Sequence, residues 1–174
     1  MTTQESPKSS LGPATMLTTM FSAPWFAVNW FTQHEGLHSH GGKDMKLAMY
    51  SLTTYFLVWY FIMARQGSSK AVVNEEFLKT EHAKKPDAVA WFTSLDRSFL
   101  NMQEQCPMFL SSFMVYAIFV SPIKAAYVGW AYSFLTALYP ALHPKVPLLF
   151  ITTFPRYFLI FFMITGCVVA AIRT

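Results

Sequence analysis

The sequence is poor in charge: Asp, Glu, Lys and Arg make up 13% of its 174 residues, against 53% that are hydrophobic. A soluble domain carries about a quarter charged residues, so a conventional water-facing surface is excluded. Cysteine is nearly absent. Cys106 and Cys167 both lie in apolar segments and no CxxC spacing occurs. That excludes a disulfide framework and a thiolate metal cluster, and the two thiols read as small core residues. The thirteen Lys and Arg residues form no dense basic run with interleaved aromatics, so nucleic acid is not an expected partner. A secretory leader fits poorly as well. Only Lys8 precedes the first apolar run, which Pro24 splits, and the Arg-rich bias of a mitochondrial presequence is missing.

What the chain has in quantity is long apolar blocks. A helical span needs roughly 20 mostly apolar residues, and four blocks approach that length: 45–65, 99–120, 125–142 and 148–172. The pattern predicts an all-α bundle of four transmembrane helices over 45–174, preceded by an extension over 1–44 that is partly interfacial. The aromatic cluster Phe21, Trp25, Phe26, Trp30 and Phe31 in that extension is too short and too interrupted to span. Residues of this kind suit a bilayer interface. Gly67, Ser68 and Ser69 are expected to end the first span and open a polar loop of about 30 residues. The positive-inside rule places that loop in the cytoplasm. Arg65, Lys70, Lys79, Lys84, Lys85, Arg97, Lys145 and Arg156 fall on its side, against Lys8, Lys43, Lys46, Lys124 and Arg173 on the other. The run His34, Glu35, His38 and His40 invites a metal reading. No second ligand cluster follows it, and a hydrated loop explains it better.

The chemistry concentrates where the second span begins. Arg97, Asn101 and Glu104 are spaced i, i+4, i+7 and therefore share one helix face. Polar groups in a membrane helix face a protein interior or a water-filled cavity, and mark a site or a subunit contact. Helix glue and ligand site are equal readings of these three residues on physical grounds. Arg65 and Arg156 should lie at the same membrane level as this cluster. Arginine grips carboxylates through paired hydrogen bonds, so a small anionic molecule would suit such a rim. Pro107 removes the donor that would bond to the Gln103 carbonyl and loosens the helix there.

The run Arg97-Ser98-Phe99-Leu100-Asn101-Met102-Gln103-Glu104-Gln105-Cys106-Pro107-Met108-Phe109-Leu110 resembles the R-x-x-x-N-x-x-E-x-x-P signature of the MAPEG family, the membrane-associated proteins in eicosanoid and glutathione metabolism. The similarity extends over about 45–172. It implies a microsomal glutathione transferase-like, four-helix protomer that forms homotrimers and takes glutathione as co-substrate. A lipophilic second substrate lies along the helices, among membrane lipid. By this resemblance Arg97, Asn101, Glu104 and Tyr139 contact glutathione, while Arg156 or Arg65 steadies its thiolate for attack on a lipophilic electrophile in a transferase or peroxidase reaction. An endoplasmic-reticulum membrane is the expected location, with a mitochondrial or plastid membrane as the alternatives. The chain also departs from the pattern. Ser94, Gln66 and Thr136 stand where many members carry arginines, and His143 replaces a tyrosine. The family includes a lipid-binding member without catalysis, so the competing expectation is a non-catalytic lipid-binding or accessory subunit of a larger membrane complex, docked through residues 1–44.

Overall fold

The computed structural model describes residues 24, 26–31, 45–72, 86–143 and 146–174. The described residues contain no strand. Four long helices carry the chain: α1 (Lys46–Val72), α2 (Pro86–Phe119), α3 (Pro122–Leu142) and α4 (Val146–Ile172). Residues 26–31 add a short helical piece.

Helix boundaries differ from the sequence expectation. α1 runs through Gly67, and Ser68 Oγ donates back to the Ala64 carbonyl at 2.8 Å. One glycine weakens a helix by only about 1 kcal/mol, too little to end it there. α2 opens at Pro86, well before the apolar block at 99. Proline suits a helix's first turn, where no backbone donor is needed. Residues 86–98, expected to be part of the 30-residue loop, are therefore helical; residues 73–85 lie outside the described set. Pro107 sits inside α2 without ending it. α3 begins at Pro122, three residues before the apolar block expected at 125. Pro122 occupies its first turn, and the extended Ser121 accepts the Lys124 backbone N–H on its hydroxyl.

Side-chain pairs fix the topology. Gly129 on α3 meets Ser51 on α1, each near the start of its helix, so α1 and α3 run the same way. Asn101 with Arg156, and Tyr116 with Phe162, show that α2 and α4 also run the same way, opposite to the first pair. α3 packs against all three other helices and α2 likewise, whereas α1 and α4 do not meet. The bundle is thus up-down-up-down with a short α2–α3 diagonal. The diagonal is close because Gly129 has no side chain. A Cβ there would lie 2.7 Å from Phe113 Cε2 and collide with Ser51 Oγ. Small residues serve this purpose where helices approach closely. Around it Tyr55, Phe109 and Tyr132 form an aromatic stack, with Phe109 and Tyr132 centroids 3.9 Å apart and nearly parallel.

The outer faces are apolar. Phe56, Leu57, Tyr60 and Phe61 on α1, Tyr127 and Phe134 on α3, and Phe150, Ile151 and Phe154 on α4 all point outward. An exposed apolar surface this extensive marks an interaction with another apolar phase or partner. Two helical segments, Lys46–Ser68 and Pro147–Ile172, are long and apolar enough to cross a membrane. The two middle helices do not reach that criterion.

Candidate functional site

Helix α2 buries one stripe and borders a cleft with its neighbour. Ser98, Met102, Gln105, Phe109, Phe113 and Tyr116 are buried at helical spacing. Arg97, Asn101 and Glu104 sit one position away from that stripe, so their shared face points into a side cleft and not into the core. The cleft measures about 430 Å³ and is lined by Thr93, Arg97, Leu100, Asn101, Glu104, Tyr139 and His143. α3 contributes the opposite wall through Tyr139 and His143, one turn apart, with ring centroids 5.6 Å from each other. The volume falls within the usual range for small-molecule sites.

Arg156 lies behind this wall and is 1% exposed. Its Nη2 donates to Asn101 Oδ1 at 2.8 Å, and its Nε donates to the Thr152 carbonyl at 3.2 Å. The guanidinium stands 4.5 Å from the centre of the Tyr139 ring, within cation–π range. A buried cation is thereby joined to two residues of the cleft and held without a carboxylate among the described residues. Glu104 and Arg97 line the cleft at its exposed side, and no ion pair joins them to each other. The cleft therefore offers a cation, an anion, an amide and a phenol to one guest, with a second cation at its back. His143, beyond the end of α3, has its pKa held below the ordinary 6.5, first by burial and then by the neighbouring Arg97 charge.

Five of the six residues expected at the site, Arg97, Asn101, Glu104, Tyr139 and Arg156, are brought together here. Arg65 is not. It is exposed on α1, with its guanidinium 5.8 Å from the centre of its own helix's Phe61 ring. The three positions that lack arginine face inward. Gln66 donates to Asp96 Oδ1 at 2.8 Å, Thr136 donates to the Tyr132 carbonyl at 2.8 Å, and Ser94 is buried. One wall residue carries little signal in the sequence, and so does one buried polar pair beneath the site. His143 stands out only as a departure from a pattern, and buried Gln105, which accepts from Tyr132 Oη at 3.1 Å, carries no separate signal. The histidines at 34, 38 and 40 lie outside the described residues.

Among known proteins, no family model, no curated protein and no solved structure matches this chain. The geometry defines an all-helical protein with two membrane-length helices and a polar cleft between α2 and α3.

Proposed function

We propose that the chain is an integral membrane protein of four spans that binds glutathione in the α2–α3 cleft and presents its thiolate to a lipophilic electrophile. One observation carries this reading: Arg97, Asn101, Glu104 and Tyr139 converge on a single cleft while the buried Arg156 is locked to two of them. Glutathione carries carboxylates, an amine and peptide groups, which match Arg97, Glu104 and Asn101 in that order. A guanidinium next to the thiol favours its ionised form, and the thiolate is the nucleophile. Of the two arginines considered for that role, Arg156 adjoins the cleft and Arg65 does not. The electrophile then reaches the sulfur from the apolar outer face. The new carbon–sulfur bond replaces the electrophile's carbon–oxygen bond when that electrophile is an epoxide, and a proton neutralises the alkoxide. A homotrimer would close the exposed side of the cleft, where Arg97 and Glu104 stand.

The test is calorimetric titration of the purified protein with glutathione, alongside the ultraviolet absorbance of the thiolate. Arg97→Ala should weaken binding roughly tenfold to a hundredfold, the worth of a charged hydrogen bond of about 1.5–3 kcal/mol. Arg65→Ala should leave binding unchanged. Equal affinity of wild type and Arg97→Ala removes the assignment.

A second reading has one observation in its favour. Residues 26–31 dock onto α4 through Asn29, which donates to Thr165 Oγ1 at 2.9 Å and to the Phe162 carbonyl at 3.1 Å. Phe26, Trp30 and Phe31 are left facing outward. An extension displayed in this way suits an accessory subunit. Its expected signature is recovery of the chain in a larger membrane assembly that dissolves when residues 1–42 are deleted.

A further inference from the structure

The end of the bundle opposite the cleft has a different character. There Phe26, Ala27, Trp30 and Phe31 form an apolar groove of about 470 Å³ with Ile172. One wall is held rigidly. Asn29 is 1% exposed and bonds to α4, and a Cβ on Gly166 would approach its Oδ1 to 2.9 Å. The groove's outer side chains stay uncovered, with Phe31 75% exposed. Arg173 stands at the rim, its guanidinium donating to the Trp30 carbonyl and lying 5.0 Å from the centre of the Trp30 ring. The groove continues onto the apolar outer face of α4 through Ile164, Val168 and Ile172.

Three basic residues stand at this end. Lys46 opens α1, Lys124 lies in the first turn of α3 and Arg173 follows α4, all at this end. At the other end Asp96 and Glu104, in the N-terminal half of α2, share the bundle with Arg65, Arg97 and Arg156. An apolar groove with a cation at its rim complements a molecule that is apolar along its length and negative at its head.

We propose that the groove between residues 26–31 and the C-terminal end of α4 binds one anionic phospholipid, with an acyl chain along Phe26, Trp30, Phe31 and Ile172 and the phosphate at Arg173. The proposal rests on the membrane part of the reading above and is independent of glutathione. Arg173 bridges the two halves of the site, because the cation that takes the phosphate also fixes the ring that takes the chain. Preference for anionic over zwitterionic lipid follows, since only the former leaves a net negative head for this basic end.

The full chain is reconstituted into vesicles whose acyl chains carry bromine, either in phosphatidylglycerol or in phosphatidylcholine. Quenching of tryptophan emission is recorded, and the difference from the W30F variant isolates Trp30. Brominated phosphatidylglycerol should quench Trp30 at about fivefold lower mole fraction than the choline lipid, a preference of the size one basic residue supplies near a membrane surface. Arg173→Gln should bring the two lipids to parity. Asn29→Leu should do the same by freeing the groove wall, while helix content stays at the wild-type level. Equal quenching by both lipids in the wild type overturns the proposal, as does a preference that survives Arg173→Gln. So does loss of the preference on adding millimolar inorganic phosphate, which would mark an ion site. Flotation separates the two levels of failure. A chain that floats with neither vesicle is not a membrane protein, whereas one that floats with both but shows no preference lacks only this site.

Discussion

Replacing Asn101 tests how the cleft is built. Arg156 is almost fully buried, and its Nη2 has Asn101 Oδ1 as an acceptor at 2.8 Å. Asn101→Ala removes that acceptor and leaves a buried guanidinium donor unpaired. A hydrogen bond to a charged group is worth about 1.5–3 kcal/mol in water-soluble proteins, while couplings measured between membrane helices reach only about 1.7 kcal/mol. The overlap of the two ranges sets the expectation at about 1.5 kcal/mol for this pair, or roughly tenfold in the folding equilibrium. The assay is a double-mutant cycle on reversible unfolding in mixed micelles, with Arg156→Met as the second substitution, because methionine fills space while removing the charge. Asn101→Ala should be destabilising in the wild-type background and nearly neutral once Arg156 is Met. Additive effects, with a coupling below about 0.5 kcal/mol, would refute the claim that Asn101 holds Arg156 in place. In the glutathione titration Asn101→Ala should weaken binding in the wild type, and less so in the Arg156→Met background, where only its own contact with the peptide is lost.

Gly129→Ala should destabilise the fold by about 1–3 kcal/mol, the usual penalty of overpacking. The new methyl meets Phe113 and Ser51 on two different helices, and micelle unfolding measures the loss; Gly67→Ala, which meets nothing within 4 Å, is the control and should stabilise by up to about 1 kcal/mol through helix propensity. The pKa of His143 in the folded chain lies below its ordinary value, so the unfolded chain takes up this proton first as pH falls. Stability should therefore decline from near pH 6.5 downward until the folded imidazole also protonates, and be independent of this group at neutral pH and above. His143→Gln should remove that part of the pH dependence in unfolding curves taken at several pH values.

Much of the site was legible because helical geometry acts over short distances. The spacing of Arg97, Asn101 and Glu104 puts them on one face wherever the helix goes, and the motif around Pro107 pointed to Tyr139 and Arg156 as companions. Their direction was not legible. Whether that face meets the core or a cleft depends on the rotation of α2, which is set by the buried stripe from Ser98 to Tyr116 packing against α3. Arg65 shows the same gap from the other side. It lies near the expected end of the first span, but α1 continues past it and its face of α1 turns outward. The charged residues before position 99 suggest a loop, but a helix carries such residues wherever its surface stays wet, and α2 begins at Pro86.

Composition and periodicity alone determined that this chain is helical, that its outer surfaces are apolar and that its polar chemistry is gathered in one short run. These follow from local preferences and from the transfer of side chains out of water. Tertiary structure decided the rest: which arginine stands behind the cleft, that His143 joins its wall, and that Asn29 ties the N-terminal piece to α4. The bonds from Arg156 to Asn101 and from Asn29 to Thr165 span 55 and 136 residues of chain, and they depend on how closely the elements can approach, for which Gly129 and Gly166 give room.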